Sequence, residues 1–341
     1  MKKYNVAVVG ANGAVGEEVL RVLEEIDFPL AKLTPLASAR SAGTKVEFKG
    51  EELTILELTN EIFEEEKVEI AIFSAGGSVS AEFAPAAVKA GAVVIDNTSH
   101  FRMQEDVPLV VPEVNPEDIA KWRETGIIAN PNCSTIQMVQ ALKPLDDAYD
   151  LVRVDVATYQ ATSGAGKSAM EELVNQMQAF FSFTLDEAEV KAFNQQIALN
   201  VIPQIDVFME NGYTKEEMKM VNETTKIMHK EIALSATCVR VPVLRGHSEA
   251  LTLTFDSEVS ANETREILSK APNIVVVDDP SKALYPMPKD CVDQNETFVG
   301  RIREDNYANN ILHMFVVADN LRVGAATNAV RIAQKWVEME G

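Results

Sequence analysis

The chain has 341 residues, more than a single hydrophobic core usually serves, so two domains are the first expectation. Apolar residues make up 46% and charged residues 24%, the balance of a folded globular protein rather than a disordered one. A formal net charge of −21 excludes sequence-independent nucleic-acid binding, which needs surplus Lys and Arg, and leaves any anionic substrate to a few local cations.

The N-terminus "MKKYNVAVVGANG" opens like a signal peptide, but Gly10 and Asn12 cut its apolar run short, and it reads as a first β-strand. "AVGEEVLRVLEEI" (14–26) follows, with Val15, Val19, Val22, Leu23 and Ile26 at helical spacing. Strand-like runs recur at "KLTPLAS" (32–38), "LTILEL" (53–58), "VEIAIFSA" (68–75), "AAVKAGAVVIDN" (86–97) and "GIIANP" (126–131). This βαβ alternation predicts an α/β, doubly wound parallel sheet covered on both faces. After about residue 150 the strands lengthen and partly alternate in polarity: "LVRVDVATYQA" (151–161), two strands within 232–255 joined through a Gly-containing turn, and "NNILHMFVVADNLR" (309–322). A mixed or antiparallel sheet in a second domain is expected there. "GAATNAVRIAQKWVEM" (324–339) reads as a closing helix. No stretch reaches the roughly 20 apolar residues of a membrane span. Three scattered cysteines suit neither a disulfide framework nor a zinc site, so reduced thiols in the cytoplasm and no metal are the expectation.

"GANGAVG" sets Gly10, Gly13 and Gly16 where the first strand turns into the first helix. Such a turn brings backbone close to a pyrophosphate at a helix N-terminus, and Asn12, Ala14 and Val15 belong to the same loop. The second strand ends in Ser38, Arg40 and Ser41 with no carboxylate to hold a 2′-hydroxyl, so NADP is favoured over NAD.

Cys133, in "NPNCST", stands where a strand ends and the helix-like "STIQMVQAL" begins. It reads either as a nucleophile activated by the helix dipole or as a small buried residue. Cys238 falls in a strand, and Cys291 in a loop without an evident base. His229 reads as a surface residue and His313 as core, which leaves His100 and His247 as candidate bases that spacing does not separate. Arg102, Arg240 and Lys219 are the anion candidates; Arg240, inside an apolar run, fits an internal ion pair and a ligand carboxylate equally, whereas Lys219 by itself reads as a solvated helix lysine.

Taken in order, "VAVVGANGAVG", "ASARSAG", "DNTSHFRM", "VPEVN", "NPNCSTIQM", "TYQATSGAGK", "EEMKMVNET", "SATCVRVPVLRGHSEA" and "VGRIRED" strongly resemble the aspartate-β-semialdehyde dehydrogenase family, in its shorter, Gram-positive-like branch. The resemblance implies a Rossmann-type nucleotide domain (1–131, completed by 322–341) and an α+β catalytic and dimerisation domain (132–321) with a mixed sheet. It makes Cys133 the nucleophile, His247 the acid–base residue and Gln160 the group that orients the thiol. It gives Arg240 the substrate α-carboxylate, Glu216 the α-ammonium group, and Arg102 and Lys219 the phosphate, with Asn132 beside the nucleophile. Ser163, Gly164 and Asn320 would border NADP, as would Ser74 in the nucleotide domain. The implied reaction is NADPH-dependent reductive dephosphorylation of β-aspartyl phosphate to aspartate semialdehyde through a thioester. It serves lysine/diaminopimelate, threonine, methionine and isoleucine biosynthesis in a homodimer or dimer of dimers. N-acetyl-γ-glutamyl-phosphate reductase runs similar chemistry, but "NPNCST" and the Glu216–Arg240 pair, suited to a free amino acid, argue against it. A homologue that has lost catalysis is opposed by the intact Cys133, Gln160, Arg240 and His247.

Overall fold

A computed structural model describes residues 2–340. In chain order the first elements are β1 (Tyr4–Val9), α1 (Ala14–Glu25), β2 (Leu30–Ala37), β3 (Lys45–Phe48), β4 (Glu51–Thr54), β5 (Leu56–Glu57) and α2 (Ile62–Glu65). Next come β6 (Ile70–Phe73), α3 (Gly77–Lys89), β7 (Val93–Asp96), α4 (Trp122–Thr125), β8 (Ile127–Ala129) and α5 (Cys133–Tyr149). Then follow β9 (Leu151–Gln160), α6 (Lys167–Phe181), α7 (Lys215–Met228), β10 (Ala233–Arg240), β11 (His247–Phe255) and α8 (Ala261–Lys270). The chain closes with β12 (Ile274–Val276), α9 (Pro288–Cys291), β13 (Thr297–Glu304), β14 (Ile311–Ala318) and α10 (Thr327–Glu340). Contacts divide it into two compact units, 2–132 with 324–340, and 133–323.

The first unit is built on a parallel sheet of order β5-β2-β1-β6-β7-β8. Its β6 and β7 are wholly buried, as continuous apolar runs demand when helices cover both faces. α1 turns Val19, Val22 and Leu23 inward, and α10 adds Ala329, Ile332, Ala333 and Trp336 to the same core. Two glycines make the β1–α1 turn possible. Gly10 takes φ +85°, and a Cβ on Gly16 would lie 2.1 Å from the Gly10 carbonyl oxygen. The run 53–58 does not form one strand: 53–54 belong to the β3–β4 hairpin and 56–57 to the edge strand β5. Apolar alternation is shared by both states, so pattern alone could not place the break between them.

The second unit carries a mixed sheet of order β10-β9-β11-β14-β13-β12. The two strands within 232–255 are present but are not neighbours. β9 lies between them, parallel to β10 and antiparallel to β11. Alternation buries one face, including Leu251, Leu253, Val154 and Val156, against α5 and α7. The opposite face keeps Tyr159 exposed and Thr252 and His313 half-buried. Both sheets match the expected fold class.

Candidate active site

The buried face of the second sheet presents its polar groups in rows. Residues two apart on a strand share a face, and the register aligns Arg240 of β10 with Gln160 of β9. Ser248 pairs with Tyr159, so the same register carries His247 opposite Gln160. Arg240, Gln160 and His247 thus stand side by side, each buried. Gly164, in the short turn Thr162–Ala165 after β9, closes over them. A Cβ there would stand 3.0 Å from Arg240 Nη1 and 3.1 Å from His247 Nε2, so this position needs glycine for room.

Cys133 opens α5 and is half-buried, with the N–H groups and partial positive charge of a helix N-terminus behind it. Arg240 donates Nη1–H to the Ala161 carbonyl at 2.5 Å and has the Phe193 ring 5.9 Å away. Burial lowers its pKa, with Glu216 and then Cys133 acting in the opposite direction, which locates thiol and guanidinium within each other's field. No acidic side chain bonds Arg240 directly among the described residues.

Ala161 also donates its N–H to His247 Nδ1 at 3.0 Å. A main-chain donor leaves Nδ1 only the acceptor role, so the proton of the neutral ring sits on Nε2. Burial, and then the nearby Arg240 charge, push the imidazole down to about 3, so it is neutral at physiological pH. Among the described residues Nε2 has no partner, and it is the atom that faces Gly164.

Gln160 is clamped at both ends: Oε1 accepts from Thr158 Oγ1 at 3.0 Å and Nε2 donates to Glu216 Oε1 at 3.1 Å. Lys219 donates to Glu216 Oε2 and Asp206 Oδ2, each at 3.0 Å. Burial would lower this ammonium group, but Glu216 and Asp206 together raise it above its ordinary value. Lys219 is therefore part of the polar network rather than a solvated helix lysine. The N-terminus of α7 is held by a capping box between Thr214 and Glu217, which fixes where Glu216 projects. Asn320 Oδ1 accepts from Ser163 Oγ at 3.0 Å and Gly246 N–H at 2.9 Å, so it ties the turn after β9 to the turn before His247.

The first unit carries its own cavity, of about 630 Å³, at the carboxyl ends of β1 and β6, where the strand order switches direction. Gly10, Asn12, Gly13, Ser38, Arg40, Ser41 and Ser74 line it, and Asn12 Nδ2 bonds Ser41 Oγ at 3.0 Å. Arg40 is the charged residue on its wall, and no carboxylate lines it among the described residues. Ala14, Val15 and Gly16 form the first turn of α1 beside it rather than its wall. Arg102 is buried in the same unit and donates to the Asn97 carbonyl at 2.9 Å, while Asn132 is buried at the end of the loop after β8.

The other thiols and imidazoles fall elsewhere. Cys238 is packed in β10, where burial pushes its thiol far up. Cys291 is not in a loop but ends α9, buried, and burial followed by Asp319 pushes it up to about 12. His229 is exposed at the end of α7, and His100 is exposed as well. His313 is not a core residue. It lies half-buried on the open face of the second sheet, 2.9 Å from Asp305 Oδ2, because alternation along β14 turns it away from the helices. A cavity of about 490 Å³ on that open face is walled by Thr252, Tyr285 and Phe315, and no cysteine lines it among the described residues. Sequence reasoning missed Ala161, whose contribution is main-chain and leaves no mark in residue type. It also missed Asp206, which reaches Lys219 from a distant loop. Thr158 was open to detection, being two residues before Gln160 on the same strand face.

Residues 5–122 match the family described as "Semialdehyde dehydrogenase, NAD binding domain", and residues 142–323 that described as "Semialdehyde dehydrogenase, dimerisation domain". The aspartate-semialdehyde dehydrogenase of Campylobacter jejuni is 64% identical over 339 residues, covering 99% of each chain. That of Bacillus subtilis is 54% identical over 97% of this chain and 96% of its own. The crystal structure of aspartate semialdehyde dehydrogenase II from Vibrio cholerae complexed with ASA superposes with a TM-score of 0.96 at 48% identity, over the full length of both chains.

Proposed function

Because this chain belongs to the aspartate-semialdehyde dehydrogenase family, oxidoreductases of amino-acid biosynthesis, we propose that it converts β-aspartyl phosphate, NADPH and one proton reversibly into aspartate semialdehyde, NADP and inorganic phosphate. The observation that carries this reading is the convergence of Arg240, Gln160 and His247 under Gly164, within the field of Cys133 at a helix N-terminus.

In the proposed sequence the Cys133 thiolate attacks the acyl carbon and expels phosphate, leaving a thioester. Arg240 holds the substrate α-carboxylate, which supplies the acid side chain its guanidinium lacks. Glu216 takes the α-ammonium group, and Lys219 supplies a cation for the phosphate. Gln160, fixed between Thr158 and Glu216, orients the thiol against the acyl group. NADPH supplies the hydride that reduces the thioester carbon. In the second unit Ser163, Gly164 and Asn320 would border a nicotinamide, and in the first unit the cavity would take nucleotide phosphates. Arg40, Ser38 and Ser41 suit a 2′-phosphate, which supports NADP over NAD. His247 keeps its proton at Nε2 and points it toward sulfur and the developing oxyanion, so that the thiolate leaves hydrogen-bonded. Its low affinity for a second proton argues against a standing imidazolium beside Cys133. Three cysteines that form no disulfide among the described residues fit the reducing cytoplasm. The open face of the second sheet, where Tyr159 and Phe315 stand 6.2 Å apart, is the surface we assign to pairing of two copies.

The test is cofactor reduction by purified protein with aspartate semialdehyde, with and without phosphate, using NADP and then NAD. Phosphate-dependent NADPH formation, lost in Cys133→Ala, is the expected result. Turnover of N-acetylglutamate semialdehyde instead would move the assignment to that reductase.

A further inference from the structure

One row beneath Arg240, Gln160 and His247 lies a carboxyl that the proposed mechanism does not use. Glu249 follows His247 by two residues on β11, so its side chain leaves the same face, and it is fully buried. The register sets it between Thr158 of β9 and Val316 of β14, both fully buried. Gln137 faces it from α5, one helical turn after Cys133 and also fully buried. The remaining titratable group in its reach is the Cys238 thiol, next in the row on β10, and no cation acts on it.

Both Glu249 oxygens and Gln137 Oε1 lack a close hydrogen-bond partner among the described residues, and Gln137 is the one side chain whose hydrogen bonding acts on the carboxyl. An ionised carboxylate in this position would be a buried charge with no cation beside it, an unfavourable arrangement in an apolar interior. A proton on the carboxyl resolves the conflict, because the acid O–H can then donate to Gln137 Oε1. That bond fixes the Gln137 amide, whose Nε2 stands 3.5 Å from the His247 carbonyl oxygen. Burial acts in the same sense and outweighs the opposing Gln137 hydrogen bond, raising the acid well above its ordinary range.

We propose that Glu249 is a neutral acid and a positioning residue, which through Gln137 ties the first turn of the Cys133 helix to the backbone of His247. The role rests on the catalytic reading given above. Its function is to hold two elements in register: Ala161 fixes the His247 ring, α5 fixes Cys133, and the Glu249–Gln137 bond joins the strand of one to the helix of the other. A displacement of about 1 Å between reacting groups costs about 10²-fold in rate, so a link one row below the chemistry has leverage on kcat.

The experiment compares Glu249→Gln, Glu249→Leu and Gln137→Met in the full chain, with Cys133→Ser alongside. Glutamine keeps a neutral donor, so E249Q is expected to hold kcat within about twofold and to superimpose on the wild-type pH–rate profile. Leucine fills the space without a donor, and E249L is expected to lose about tenfold or more in kcat with KM little changed. Q137M removes the same bond from the other side and should lose as much, so the outcome does not depend on E249L folding. Infrared spectra at neutral pH should contain a protonated-carboxyl C=O band that disappears in E249Q. A kcat loss in E249Q equal to that in E249L, an E249Q profile displaced in pH, full kcat in both E249L and Q137M, or absence of the band each overturns the proposal. If C133S itself turns over normally, the catalytic reading fails and the positioning role with it. The infrared band separates that failure from an error about the acid.

Discussion

The two sites that the proposed reaction needs are made in opposite ways. In the first unit the wall is mostly main chain and small side chains around an exposed loop: Gly10, Gly13, Ser38, Ser41 and one exposed arginine. In the second it is a row of buried polar side chains, each held by another: Thr158 on Gln160, Gln160 on Glu216, Ala161 on both Arg240 and His247. A surface of backbone N–H groups tolerates substitution around it, because the donors do not depend on side-chain identity. A buried network does not, because removing one member strands the next.

Three measurements sharpen that contrast, beginning with the largest effect. Gly164→Ala puts a methyl against Arg240 Nη1 and His247 Nε2, and should lower kcat/KM by about 10²-fold while leaving cofactor affinity of the first unit within a few-fold. If G164A keeps full kcat/KM, the row yields to steric pressure and the buried network is softer than described. Arg40→Ala removes one exposed charge from the nucleotide wall. It should raise KM for NADPH about tenfold with kcat at saturation unchanged and NADH use unaffected. An equal loss with both cofactors would deny Arg40 any part in reading the 2′-phosphate.

The smallest effect per step is in stability against pH. His247 has a depressed folded pKa, so below an unfolded pKa of about 6.5 the unfolded chain binds the extra proton and stability falls with falling pH down to about 3. Glu249 has a raised folded pKa, so its contribution is fully present below the unfolded value of about 4.5 and is lost as pH rises. Each contributes a slope of about 1.4 kcal/mol per pH unit, of opposite sign. Chemical denaturation of E249Q between pH 5 and 7 should show the wild-type minus variant stability falling with pH. A flat difference would mean that Glu249 ionises in the folded chain.

What could be read from the residues follows the same division. Glycines at 10, 13 and 16 and the absence of an acid after β2 are local signals, so the turn and loop that wall the first unit's cavity were legible from spacing alone. The buried row of the second unit was not. Residues 160, 240 and 247 meet because β9 inserts between β10 and β11, and sequence separation says nothing of that order. Resemblance, not spacing, selected His247 over His100. His313 misled because its neighbours are apolar, although its place in the alternation sends it to the open face. The break at Ile55 and the short β12 escaped because short apolar runs carry no period long enough to measure.

The insertion of β9 between two strands that are near neighbours in sequence also decides how this protein can fail. A slip of one residue along β9 would turn Gln160 outward and carry the exposed ring of Tyr159 inward, while Thr158, Val156 and Val154 left the core in the same motion. Misregistered copies would therefore be conspicuous: inert, and apolar where they should be wet. Quality control that recognises exposed apolar surface would remove the inactive molecules without any means of sensing activity.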